Sequence, residues 1–259
     1  MTQLLVSVKS TEEALIALEA GVDIIDLKDP ANGALGALDL LISAEIVAMT
    51  QQYNQLNVDN NRHFSPTLTS AAVGEQHLNI ESLMSSILER VSINVDIIKV
   101  PVCSLEAISS WQDQFDLRKI THLKPDIKFV AVFFADQKLD LMQLKTLKNM
   151  GFYGAMLDTS EKHQNLLEVC TTQTLQMFTQ FCQKNALKSG LAGSLKPQHI
   201  ERLTAIRPFY IGFRGGVCEA GRRNNTLLMS KVIEVKKLLQ EHNKFNDLAR
   251  QSSILALHS

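Results

Sequence analysis

Short apolar runs alternate with amphipathic stretches from one end of this chain to the other, and that rhythm restricts the fold more than any single motif. LLVSV (4–8), VDIIDLK (22–28), TLTSAAVG (67–74) and VDIIKVPV (95–102) each read as a strand. So do IKFVAVFF (127–134), GAMLDTS (154–160), KSGLAGS (188–194) and FYIGFRGG (209–216). Between them lie helical patterns. TEEALIALEAG starts behind a Ser10 or Thr11 cap, carries acids in its first turn and stops at Gly21. The others are expected at 38–52, 80–91, 105–115, 141–151, 174–185, 197–206 and 230–242. NQLNVDNNRH (54–63) predicts a polar surface excursion. Eight strands alternating with eight helices over about 250 residues is the size and rhythm of an α/β fold of the TIM (β/α)8 barrel type. A doubly wound Rossmann sheet is the alternative, but its first turn should carry GxGxxG, and VSVKSTEEA does not.

No composition break divides the chain, so residues 1–242 are expected to form one catalytic barrel and 243–259 a polar C-terminal tail. That tail is expected to fray or to pack across the barrel's lower face. Hydrophobic content of 45% and charged content of 20% suit a globular domain with a sizeable core. A net charge of -1 gives no overall pull toward nucleic acid or an acidic membrane. Cys103, Cys170, Cys182 and Cys218 form no CxxC pair and read as reduced thiols. The seven histidines show no HxH or HExxH spacing, so no metal site is expected. The N-terminus does not read as a signal peptide, and no apolar run is long enough to span a bilayer, so a cytoplasmic location is expected.

In a TIM barrel the chemistry sits at the C-terminal ends of the strands, where polar residues should interrupt the apolar runs. Those ends offer Ser7 and Lys9, Asp26 and Lys28, Lys99, Asp158 and Thr159 with Lys162 just beyond, and Arg214. With period-two alternation, Val22, Ile24, Asp26 and Lys28 share one face, and Val95, Ile97 and Lys99 share another. If both faces point inward, Asp26, Lys28 and Lys99 converge at the mouth. One strand-end lysine is most simply a salt bridge or a snorkelled ammonium. Two, with aspartates on neighbouring strands, meet the requirement of a Schiff-base enzyme: like charges favour a neutral amine, and a carboxylate trades protons with it. The loops LAGSLKP and GFRGGVCEAGRRNN are small-residue turns in the usual phosphate position. They nominate Gly193, Ser194, Gly215 and Gly216, with Arg214, Arg222 and Arg223 as cationic donors.

LLVSVKSTEEALIALEAGVDIIDLKDPANGALGA, VDIIKV, AMLDTSEK, GLAGSLKPQHI and IGFRGGVCEAGRRNN together resemble the (5-formylfuran-3-yl)methyl phosphate synthases of methanofuran biosynthesis, from about residue 3 to 239. The resemblance implies a TIM barrel that condenses two glyceraldehyde 3-phosphates into the furan phosphate, releasing phosphate and water, with no metal or organic cofactor. Residue by residue it implies Lys28 in DLKDP as the Schiff-base lysine and Lys99 in IIKV as a proton acceptor. It likewise implies Asp158 and Lys162 in LDTSEK as an acid/base pair. The chain departs from the family pattern in the 54–63 stretch, in its C-terminal tail and in Pro101 after the second lysine. A phosphorylated aldehyde is the expected partner, with no nucleic acid and no membrane, and a homo-oligomer is the expected assembly. The competing functions are a class I aldolase-like enzyme on another sugar phosphate and a non-catalytic phosphate-binding barrel.

Overall fold

A computed structural model describes residues 1–59, 65–75, 79–102, 117–137, 141–161 and 163–256. Eight parallel strands close into a barrel in sequence order: β1 (Gln3–Val8), β2 (Ile24–Leu27), β3 (Leu68–Ala72), β4 (Ile97–Pro101), β5 (Lys128–Phe134), β6 (Gly154–Asp158), β7 (Lys188–Leu191) and β8 (Tyr210–Phe213). Helices on the outside include α1 (Thr11–Glu19), α2 (Leu40–Asp59), α3 (Ile80–Ser92) and α4 (Leu117–Leu123). They continue with α5 (Leu144–Asn149), α6 (Leu166–Val169), α7 (Thr172–Lys184), α8 (Ile200–Ile206) and α9 (Met229–Ala256). This is the TIM barrel expected from the sequence. The helix anticipated at 105–115 lies outside the described residues, as do Cys103 and Trp111.

The alternation of side chains builds two apolar layers. Outward residues such as Val6, Ile25, Ile98, Phe129 and Leu157 pack against the helices. Inward residues, among them Leu5, Ile24, Ile97, Val130 and Met156, fill the barrel. Ile24 and Ile97 therefore face inward as expected, but Val22 and Val95 do not share their environment. Both precede the first residue of their strand and join the outer layer.

The repeated VDII lead-in also has a structural explanation, at the end of the barrel opposite the lysines. Asp23 accepts the Leu4 N–H at 2.7 Å and Asp96 accepts the Thr69 N–H at 2.7 Å. In each case the aspartate satisfies a main-chain donor on the preceding strand that would otherwise be left at the barrel's rim. Of two further expectations, one is resolved and the other needs adjustment. Ser10 is the α1 cap, its hydroxyl accepting from Glu13 N–H at 3.3 Å. Helix α2 runs to Asp59 rather than ending at 52, so residues 54–59 of the supposed excursion are helical. Asn54 explains this: its amide both donates to Thr67 O (2.9 Å) and accepts from Thr67 N–H (3.0 Å), tying the helix end to the entry of β3.

At the lower rim, Asn243 of α9 exchanges two 2.9 Å hydrogen bonds with the Thr2 main chain, and the helix continues unbroken through the 242/243 boundary. Among the described residues, no helix is long and apolar enough to cross a membrane. Cys170, Cys182 and Cys218 are buried free thiols, and burial pushes Cys182 up to about 12.

Candidate active site

Strand register puts Asp26 between two hydroxyls. Its Cα partners are Ser7 on β1 and Ser70 on β3. Ser7 Oγ donates to Asp26 Oδ2 at 2.9 Å and Ser70 Oγ to Oδ1 at 2.6 Å. Lys99, inward on β4 one strand beyond Ser70, reaches the same Oδ1 with its Nζ at 2.8 Å. Asp26 and Lys99 are 1% and 2% exposed, so this is a buried ion pair whose carboxylate is saturated by three donors. Burial would raise the Asp26 carboxyl, but the Lys99 and Lys28 ammonium groups outweigh it and hold it below the usual carboxylate range. Burial, joined by the like charge of Lys28, draws Lys99 below the ordinary lysine range against the pull of Asp26.

Lys28 sits one residue past β2, with its N–H held by Val8 O at 3.1 Å. Its Nζ is 3.5 Å from Asp158 Oδ2 at the end of β6, and both residues are buried. Two lysine–aspartate pairs thus meet at the mouth, cross-coupled through the effect of Lys28 on both Asp26 and Lys99. Asp158 also accepts the Thr159 N–H at 2.7 Å. Lys162 lies outside the described residues.

The loop after β6 is held from the neighbouring strand. Asp136, two residues past β5, accepts Ser160 N–H (3.0 Å), Ser160 Oγ–H (2.9 Å) and Glu161 N–H (2.8 Å). Burial opposes its charge, but these donors prevail and its carboxyl is lowered. Neither Asp136 nor Ser70 was singled out from the sequence. Ser70 was findable as the polar residue in the inward series Leu68, Ser70, Ala72. Asp136 carries no local signal, because its partners are distant in sequence.

A cavity of about 730 Å³ opens over this mouth, lined by Asp26, Asp158 and the loops after β7 and β8. Leu5, Met156, Ala192 and Gly212 make an apolar floor. Gly193, Ser194, Gly215 and Gly216 all border it. Gly193 and Ser194 both take positive φ, +117° and +48°, turning the chain sharply out of β7. The β7 and β8 loops approach so closely that a Cβ on Gly216 would stand 2.3 Å from Leu195 O. A second cavity of about 500 Å³ lies at the lower rim between Lys188, Arg207 and α9, away from Lys28 and Lys99.

Arg214 also borders the upper cavity, but its five N–H groups are engaged by the protein. They go to both Glu13 carboxylate oxygens, Ser7 O, Arg223 O and Asn225 O. Arg214, nominated from the sequence as a phosphate donor, thus ties the β8 loop to α1 with its N–H groups committed to the protein. Lys9 likewise points its ammonium to Asn224 O of that loop. Among the described residues no group of three His, Cys, Asp or Glu side chains is placed to hold a metal ion.

Comparison with known proteins bears on the fold and the family. Structural neighbours include 3-hexulose-6-phosphate synthase from Salmonella typhimurium, with a TM-score of 0.60 and 13% identity over 93% of this chain and 100% of that one. KGPDC from Streptococcus mutans matches with a TM-score of 0.60 and 12% identity over 93% and 98%. At such identities they establish the barrel and nothing finer. Sequence relatives say more. A putative (5-formylfuran-3-yl)methyl phosphate synthase of Methylorubrum extorquens is 33% identical over 239 residues, 92% of each chain. The (5-formylfuran-3-yl)methyl phosphate synthase of Methanocaldococcus jannaschii is 30% identical over 247 residues, 91% of this chain and 98% of that one. The profile of 4-HFC-P synthase matches residues 4–236, which take in all eight strands save Gln3 and every lysine and aspartate at the mouth, so the chain belongs to the 4-HFC-P synthase family of enzymes.

Proposed function

We propose that this enzyme makes (5-formylfuran-3-yl)methyl phosphate from two molecules of glyceraldehyde 3-phosphate for a methanofuran-type carrier, through a Schiff base on Lys28. The observation that carries this reading is the paired lysines, each against its own aspartate, under one cavity. Atom balance requires the loss of one phosphate and two waters from the two trioses. In the first step the Lys28 amine forms an N–C bond with an aldehyde carbon, and the carbonyl oxygen leaves as water. Asp158, 3.5 Å from Nζ, is the group that takes and returns protons there. The iminium then acidifies the neighbouring C–H bond. Lys99 in its neutral amine form, which burial and the like charge of Lys28 favour, accepts that proton, and the C–H electrons pass into the enamine. Lys162 serves as a further acid/base group, as the family resemblance implies. Gly193, Ser194, Gly215 and Gly216 cradle a phosphate, the ring-forming carbons rest on the apolar floor, and no metal or organic cofactor is needed. A homo-oligomer acting in the cytoplasm completes the reading.

Incubation of the pure protein with glyceraldehyde 3-phosphate, with products identified by mass, tests it. The furan phosphate and inorganic phosphate should appear together. A different sugar phosphate would favour an aldolase-like reaction, and unchanged substrate with no borohydride-trapped adduct would favour a binding protein.

A further inference from the structure

We propose that Arg223 is an anion-binding residue of the upper cavity, receiving the phosphoryl group of a phosphorylated short-chain aldehyde. The ligand's identity rests on the function proposed above; the anion site itself does not.

Arg223 borders the cavity together with Asp158, Gly193, Gly215 and Gly216. Its guanidinium is half-buried and held across the mouth, Nη2 donating to Gly33 O at 2.6 Å in the loop that follows Lys28. Its Nε is buried with no hydrogen-bond partner, and among the described residues no carboxylate forms an ion pair with it. Asp158, Glu75 and Asp29 act on it only through space. A guanidinium stays charged at any working pH, so it cannot relieve burial by losing its proton as a lysine can. A partly desolvated cation with no carboxylate in contact and an unpartnered Nε, beside a cavity, is arranged for an anion that arrives with the ligand.

The other arginine of the loop explains how it is positioned. Arg214 Nε donates to Arg223 O at 2.8 Å and Arg214 Nη2 to Asn225 O at 3.1 Å, fixing the main chain on which Arg223 stands. Arg223 N lies 3.5 Å from where a Gly215 Cβ would be, so its backbone packs on the glycine turn while its side chain reaches toward the Lys28 loop. The guanidinium therefore spans from the β8 turn to the element carrying Lys28. A triose phosphate is only a few bonds long, and a phosphoryl group attached to an aldehyde bound at Lys28 must fall near this mouth.

Titration calorimetry of the full chain with inorganic phosphate tests the site. Arg223→Gln should weaken phosphate binding roughly 10- to 100-fold, the range for losing a charged hydrogen bond. Lys237→Gln, an equal charge loss on the exposed face of α9, should leave it unchanged. Wild-type phosphate affinity in Arg223→Gln overturns the proposal, and so does an equal loss in Lys237→Gln. Should Arg223→Gln fail to fold, Arg223→Lys carries the test: it keeps the charge without the fork, and an affinity equal to wild type overturns the site. If phosphate binding depends on Arg223 but glyceraldehyde 3-phosphate yields no furan, the proposed function fails and this site stands.

Discussion

Lys99 Nζ lies 2.8 Å from Asp26 Oδ1 inside the barrel, each side chain only 2% exposed. Removing one partner leaves the other as an uncompensated buried charge, which costs about 3–5 kcal/mol. Asp26→Asn should therefore lower the urea midpoint strongly, although it preserves shape and most hydrogen bonds. Replacing both, as Asp26→Leu with Lys99→Met, should recover much of that loss while leaving the enzyme inactive. A single variant as stable as wild type would show that Lys99 is neutral or hydrated there.

The same pair sets a pH dependence. The Asp26 carboxyl is held below its unfolded value, so its contribution is fully present above about pH 4 and is lost as pH falls through the folded value. Lys99 is also lowered, so burying its charge is unfavourable below its folded value. That penalty is relieved as pH rises from there toward the unfolded value near 10.4, and stability gains over that interval. Urea midpoints followed across pH should show both slopes in wild type and neither in the double variant. Parallel curves for the two proteins would contradict this assignment.

Asp136 does not line the cavity; it holds the segment just after Asp158 through two main-chain N–H groups and the Ser160 hydroxyl. Asp136→Ala should lower kcat roughly 10-fold or more with little change in KM, because misplacing an acid/base group affects the transition state more than binding. Asp136→Glu, which retains the carboxylate, should recover part of the rate. A purely structural role would instead lower the melting temperature and leave kcat per folded molecule unchanged.

Gly216 packs against the backbone of the β7 loop: an added Cβ would meet Leu195 O at 2.3 Å and Lys196 Cα at 3.1 Å. Gly216→Ala must push the β7 and β8 loops apart, since neither contact is a flexible side-chain end. If those loops cradle phosphate, KM should rise more than kcat falls. An unchanged KM would move the phosphate elsewhere in the cavity.

Much of this was legible in the sequence because barrel strands write their faces with period two. Asp26, Lys28 and Lys99 could be brought to one mouth from spacing alone, since alternation and strand direction fix both the side and the end. What spacing could not give was partnership. Which aspartate takes which lysine depends on the stagger between strands, as does the role of Ser70. Arg214 and Arg223 were equivalent on paper, because the acceptor that engages one, Glu13, lies on α1 some two hundred residues earlier. Val22 and Val95 were misplaced for the opposite reason: period two holds only within the strand, and both stand just outside it.

Lys28 and Lys99 are separable by one substitution each. An imine requires a neutral amine, and arginine preserves charge and approximate length but remains protonated. Lys28→Arg should keep the pairing with Asp158, and hence the fold, while losing nearly all turnover. Borohydride added with glyceraldehyde 3-phosphate should label wild type at Lys28 and leave Lys28→Arg unlabelled. Lys99→Arg tests proton transfer instead. General-base catalysis is worth roughly 10²–10⁴-fold, so turnover should fall by about that factor while an adduct at Lys28 can still be trapped. Arginine at this position must also fit a fully buried slot against Asp26, so its melting temperature has to be read alongside the rate. Label found on Lys99, with Lys28→Arg still turning over, would reassign the nucleophile to Lys99 and make Asp26 its proton partner, whereas label on Lys162 would reassign it to that residue.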